Sequence, residues 1–161
     1  MKCLFLALVV LFLTATGCTA SHQGRVLPEA DLELLAGGTY DLQQTGQPRA
    51  LNLWATWCAP CRAELPAFDD VANRVDGVDI VGINVGDTGP DAAELVEELG
   101  LSFAQALDPN AIVQQSLQII GMPSTIFVDA DGEVVQIHTG ELEADELEML
   151  LRDLFDATFS N

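Results

Sequence analysis

Asn52-Leu53-Trp54-Ala55-Thr56-Trp57-Cys58-Ala59-Pro60-Cys61 decides how this chain folds and where its chemistry sits. Ala50 to Ala55 is a short, mostly apolar run that reads as a buried strand. From Pro60 onward Leu65, Phe68, Val71 and Val75 recur at spacings of three and four, the period of an amphipathic helix. The two cysteines therefore fall at a strand-to-helix junction. At a helix N-terminus the unpaired N–H groups and the macrodipole favour a thiolate. Cys58 lies at the very end, so its pKa should be the lower of the two and it should attack disulfides. Cys61, one turn further in, is placed to resolve the mixed disulfide. Pro60 has no N–H to lose in the first turn.

Outward from this junction the pattern is that of one α/β unit. Residues 32–42 read as two short strands around Gly37-Gly38, a hairpin signal. Val78 to Val85 is apolar and β-branched, a second central strand. Ala92, Leu95, Val96 and Leu99 give another amphipathic helix, closed by Gly100. Phe103 to Leu107 reads as a strand. Asp108 as cap and Pro109 in the first turn then predict a short helix through about Leu117. Thr125–Val128 and Val134–His138 flank Asp129-Ala130-Asp131-Gly132, a β-hairpin with an Asp-Gly turn. Leu147, Leu150, Leu151 and Leu154 form the stripe of a terminal helix. This order predicts a sheet with mixed parallel and antiparallel pairing, covered by helices on both faces.

At 161 residues the chain has room for one domain of ordinary size. Its 25 acids face six basic residues, a net charge of −19, and its one lysine is Lys2. So little positive charge excludes nucleic acid as a partner, and equally a basic anchor on anionic lipid. Leu4 to Leu13 is ten apolar residues behind Lys2. At ~1.5 Å per residue it covers about half of a ~30 Å hydrocarbon core, so it suits a signal peptide and not a stable membrane span. Thr14-Ala15-Thr16-Gly17-Cys18 resembles a bacterial lipobox, with Ala15 where such boxes usually carry Leu. The same small residues also read as an ordinary cleavage site. The expected organisation is a signal peptide over 1–17, a lipid-attachment cysteine (Cys18) with a tether over 18–28, and one domain over 29–161. Either form of the leader puts the protein outside the cytoplasm. Without residues 1–17 the chain keeps five arginines against 25 acids, a net charge of −20.

Two cysteines separated by two residues close too small a loop to staple a domain, so the Cys58/Cys61 pair looks chemical. Half a zinc site has the same spacing, but zinc normally wants four ligands. Only Cys18, His22 and His138 remain to supply them, and they form no second pair. A thiol peroxidase and a copper- or zinc-binding module stay as competing readings. The peroxidase expects a threonine further from the nucleophile than Thr56 stands.

Asn52 to Pro66 resembles the active-site segment of exported thioredoxin-fold oxidoreductases of the TlpA/ResA kind. The likeness continues through Ile83-Asn84-Val85, Leu107-Asp108-Pro109 and Gly121-Met122-Pro123-Ser124-Thr125-Ile126-Phe127-Val128-Asp129, and covers roughly residues 28–156. It implies a thioredoxin-like fold, a central mixed sheet flanked by helices, with an N-terminal β-hairpin and a βα insertion. It also implies that Met122-Pro123 is a cis peptide facing the cysteines and offering backbone to a peptide substrate, with Trp57 at the rim. Thioredoxins carry a buried Asp where this chain has Asn52, which cannot accept a proton. Glu64, one turn beyond Cys61, matches a carboxylate that ResA-like proteins place near the pair, and a solvated helix residue is its plainer alternative. The expected activity is exchange of disulfides with protein substrates, in the reductive direction, with apocytochrome c as an example substrate. A membrane thiol carrier is the expected electron donor, and no cofactor or metal is called for.

Overall fold

The computed structural model describes residues 25–160. The leader, Cys18 and His22 lie outside the described residues. The chain runs β1 (Asp31–Leu34), β2 (Thr39–Asp41), β3 (Arg49–Trp54), α1 (Ala59–Ala72), β4 (Val75–Asp76), β5 (Asp79–Val85), α2 (Gly89–Leu99), β6 (Ala104–Asp108), α3 (Ile112–Ser116), β7 (Ser124–Val128), β8 (Val134–Thr139), α4 (Ala144–Phe155) and β9 (Thr158–Phe159). Seven strands form one sheet in the order β2-β1-β6-β5-β3-β7-β8, and β4 with β9 makes a separate two-stranded ribbon. β3 pairs parallel with β5 and antiparallel with β7, so the strand leading to the cysteines lies deep in a mixed sheet.

Every residue of β3 is buried, and successive side chains serve opposite faces. Ala50 and Trp54 join a core with Leu65, Phe68 and Val71 of α1, Ala92 and Leu95 of α2, and Leu147 and Leu151 of α4. Leu51 and Leu53 join a second core with Leu27, Leu42, Val113 and Leu117. This double burial is why the strand reads as a continuous apolar run instead of an alternating one. Gly82 on β5 leaves the space that Trp54 and Gln105 fill. Trp54 Nε1 donates to Gln105 Oε1 at 2.9 Å, and a Cβ on Gly82 would collide with that glutamine.

The thioredoxin-like architecture, a central mixed sheet with flanking helices, agrees with the expectation, as does the N-terminal β1–β2 hairpin. Three departures go beyond a residue or so at the end of an element. The active-site helix ends at Ala72, and Val75, read as part of its stripe, lies in β4. The β4–β9 ribbon leaves no sequence signal, since two residues per strand carry no periodicity. Asp108 closes β6 and does not sit next to the first turn of a helix. α3 starts at Ile112, behind Ala111 in the left-handed region (φ 54°). The residue before a proline is pushed out of the helical region, so Asp108 stays extended. Its carboxylate reaches over the turn to accept the N–H groups of Ile112 and Val113 at 2.9 and 3.0 Å.

Candidate active site

Cys58 and Cys61 are joined in a disulfide, with Cα atoms 5.3 Å apart. Cys58 is the N-cap of α1 in extended conformation, and its Sγ accepts the Cys61 N–H at 3.3 Å. The turn before it closes with Cys58 N–H donating to the Ala55 carbonyl at 3.1 Å. Cys58 keeps 5% of its surface, whereas Cys61 keeps none. An incoming sulfur therefore meets Cys58 first.

The Met122–Pro123 peptide is cis. Its loop is held by Ser124 Oγ donating to the Gly121 carbonyl at 2.9 Å, and by Gly140 N–H donating to the Pro123 carbonyl at 3.0 Å. Met122 is half-buried and packs against the core that contains both cysteines. Trp57 beside Cys58 is 70% exposed, and Ile120 before the cis-proline loop is fully exposed. Both side chains are apolar surface that the fold leaves uncovered. Trp54, by contrast, is fully buried packing.

Glu64 is not a solvated helix residue. It is buried, with Oε1 accepting Asn52 Nδ2 at 2.7 Å and Oε2 accepting Leu142 N–H at 3.0 Å. Burial pushes its pKa up from 4.5 to about 7, opposed by the Asn52 and Leu142 hydrogen bonds and assisted by the nearby Glu141 charge. Desolvation wins because two hydrogen bonds replace only part of the water a carboxylate loses. Asn52 is fully buried, and its Oδ1 has no protein partner. A carboxyl group that titrates near neutrality thus lies three residues beyond Cys61, on neighbouring positions of one helix face.

Arg62 points outward and pairs with Glu98 at 3.0 Å, both side chains well exposed. His138 lies on β8, the edge strand, opposite Thr125. Among the described residues no group of three or more His, Cys, Asp or Glu side chains is arranged to hold a metal ion, and no helix is long and apolar enough to cross a membrane. One polar group at the site escaped sequence reasoning. Asp87, in the β5–α2 loop, accepts the Thr56 N–H, the Thr56 hydroxyl and Asn84 Nδ2 at 2.7, 2.9 and 2.8 Å. An acid just past the end of the strand parallel to β3 was the available signal.

Residues 9–152 match the family described as Redoxin. The thiol-disulfide oxidoreductase ResA of Geobacillus kaustophilus is 31% identical over 139 residues, covering 84% of this chain and 80% of that one. The thiol:disulfide interchange protein DsbE of Vibrio cholerae is 34% identical over 137 residues, covering 83% and 73%. Among solved structures, a secreted Mycobacterium tuberculosis disulfide oxidoreductase described as homologous to DsbE superposes with a TM-score of 0.68 at 26% identity, covering 78% of this chain and 96% of that one.

Proposed function

Because this chain belongs to the Redoxin family and is a thiol–disulfide oxidoreductase, we propose that it works outside the cytoplasm as a reductant of protein disulfides. The observation that carries this reading is the Cys58–Cys61 pair, with Cys58 as cap of α1 next to exposed Trp57, and with Met122 of the cis Met122–Pro123 peptide packed against the core that holds both cysteines. In the reduced enzyme the Cys58 thiolate attacks a substrate disulfide and expels one substrate thiolate, leaving a mixed disulfide. Cys61 then gives its proton to the Glu64 carboxylate and attacks Cys58 Sγ. The enzyme disulfide forms, the second substrate thiolate leaves, and two electrons have passed to the substrate. Trp57, Met122 and Pro123 contact the substrate around the reacting sulfurs. Apocytochrome c, whose haem-binding cysteines must stay reduced, is the substrate we favour. A membrane thiol carrier would return the electrons.

Residues 1–17 serve as the leader and Cys18 as the lipid-bearing first residue, with 18–28 as tether and 29–161 as the catalytic domain. The apolar run to Leu13, followed by small residues up to Gly17-Cys18, supports this organisation, and the similar mycobacterial disulfide oxidoreductase is a secreted protein, which agrees with export. Blocking lipoprotein signal cleavage should leave a larger precursor in cells. If Cys18→Ser protein is still processed normally and wild-type protein carries no lipid, the anchor is refuted.

The direction of the reaction is tested by equilibrating the pair with glutathione. Redox pairs of related proteins run from about −270 mV for reductants to about −120 mV for a strong oxidant. We expect a value on the reducing side of about −180 mV, and one near −120 mV would reverse the proposed direction.

A further inference from the structure

We propose that Asp87 is a positioning residue for the redox turn, its carboxylate holding Thr56 so that the Cys58 sulfur stays at the N-terminus of α1. The inference rests on Cys58 being the attacking sulfur. Two of the three hydrogen bonds that Asp87 accepts come from one residue, the Thr56 N–H to Oδ2 and the Thr56 hydroxyl to Oδ1. Bonds to an ionised acceptor are about twice as strong as neutral ones. The third comes from Asn84, fully buried on β5 and paired in register with Trp54 at the end of β3. Asp87 is therefore tied into the sheet on one side and grips the redox turn on the other.

The loop that carries it is itself fixed. Gly86 turns the chain at φ +78°, with its N–H donated to the Asp108 carbonyl at 3.0 Å, and Thr88 caps α2. Thr56 lies two residues before Cys58, inside the turn that the Ala55 carbonyl closes. While the disulfide is intact, the bond to Cys61 also fixes the Cys58 sulfur. Once it opens, only the turn keeps Sγ beside the Cys61 N–H. A thiolate gains from that N–H and from the helix terminus only while it stays there.

The test compares Asp87→Ala with Asp87→Asn in reduced protein. Both remove the charge, but asparagine keeps an oxygen for the Thr56 N–H and an amide for the Thr56 hydroxyl. Arg62 and Glu64 on α1, Asp91, Glu94 and Glu98 on α2, and Glu141 ahead of α4 are unchanged in either. Alkylation by iodoacetamide is followed against pH, with the labelled cysteine located by mass spectrometry. The alanine midpoint should lie about half a pH unit or more above the asparagine midpoint, since lost hydrogen bonding to the charged form raises a thiol pKa. Exchange with a protein disulfide should be roughly tenfold slower in the alanine variant, the penalty of a misplaced nucleophile. Thr56→Val, which removes the hydroxyl bond and keeps the N–H bond and the charge, should raise the midpoint above wild type, and adding it to Asp87→Ala should shift nothing more. Thr88→Ala, which loosens the same loop without touching Thr56, should keep the wild-type midpoint. If Asp87→Ala does not fold, Thr56→Val against Thr56→Ser makes the same comparison, because serine keeps the hydroxyl. Coincident midpoints at Cys58, or an additive double variant, would overturn the inference. A label on Cys61 in wild-type protein would instead overturn the assignment of the attacking cysteine.

Discussion

Cys61→Ser protein is expected to accumulate a mixed disulfide between Cys58 and its substrate, and Cys58→Ser protein to accumulate none. Cys58 caps α1, where the helix terminus stabilises a thiolate by roughly 0.3–1 kcal/mol, more in a partly buried site. It also retains the one patch of accessible surface in the pair, while Cys61 is fully buried. With Cys61 gone, no intramolecular thiol releases the product, so the effect is close to all or none. Non-reducing gels of protein purified from cells would show the adduct, and mass spectrometry would identify the partner. A CxxCH protein in the trap would support the role in cytochrome c maturation. If Cys58→Ser traps partners and Cys61→Ser does not, the two roles are reversed.

Most of the fold was legible because its elements carry strong periodic signals. β3 and β5 are apolar and short, α1, α2 and α4 repeat at helical spacing, and the β7–β8 hairpin is marked by Asp131-Gly132. What could not be read is set by tertiary contacts. Val75 continues a helical spacing, yet it pairs with Phe159 across the chain. Asp108 resembles an N-cap, but that position belongs to Ala111, and Asp108 reaches the first N–H groups of α3 only across the turn that Pro109 begins. The site shows the same division. The cysteines and the cis-proline segment could be placed from spacing and resemblance. Burial of Glu64 could not, because it depends on Leu142, 78 residues away, delivering an N–H to its carboxylate. The hold of Asp87 on Thr56 could not be read for the same reason, since the two stand 31 residues apart in sequence.

Glu64→Gln should slow disulfide exchange by about 10–100-fold near neutral pH, at the low end of what a positioned proton acceptor contributes, while leaving the fold intact. The fold should survive because the buried site can accept the amide. The introduced amide can still take the Leu142 N–H on its oxygen, and Asn52 can turn its unpartnered Oδ1 toward the amide nitrogen. What is lost is the acceptor for the Cys61 proton at the resolving step, since Asn52 cannot replace it. Wild-type exchange should rise with pH through about 7, where Glu64 ionises, and the variant should lack that rise. At pH 9 solvent deprotonates Cys61 more readily and the two rates should converge. Stability supplies an independent reading. The raised pKa means that the folded protein holds a proton which the unfolded chain releases. The favourable contribution is therefore complete below pH 4.5 and is lost as pH climbs through about 7. Between those values the linked slope approaches about 1.4 kcal/mol per pH unit, and urea unfolding of the oxidised protein should show it in wild type and not in Glu64→Gln. A variant that loses the stability slope but exchanges disulfides at the wild-type rate from pH 5 to 9 would make Glu64 a buried structural carboxyl with no part in proton transfer.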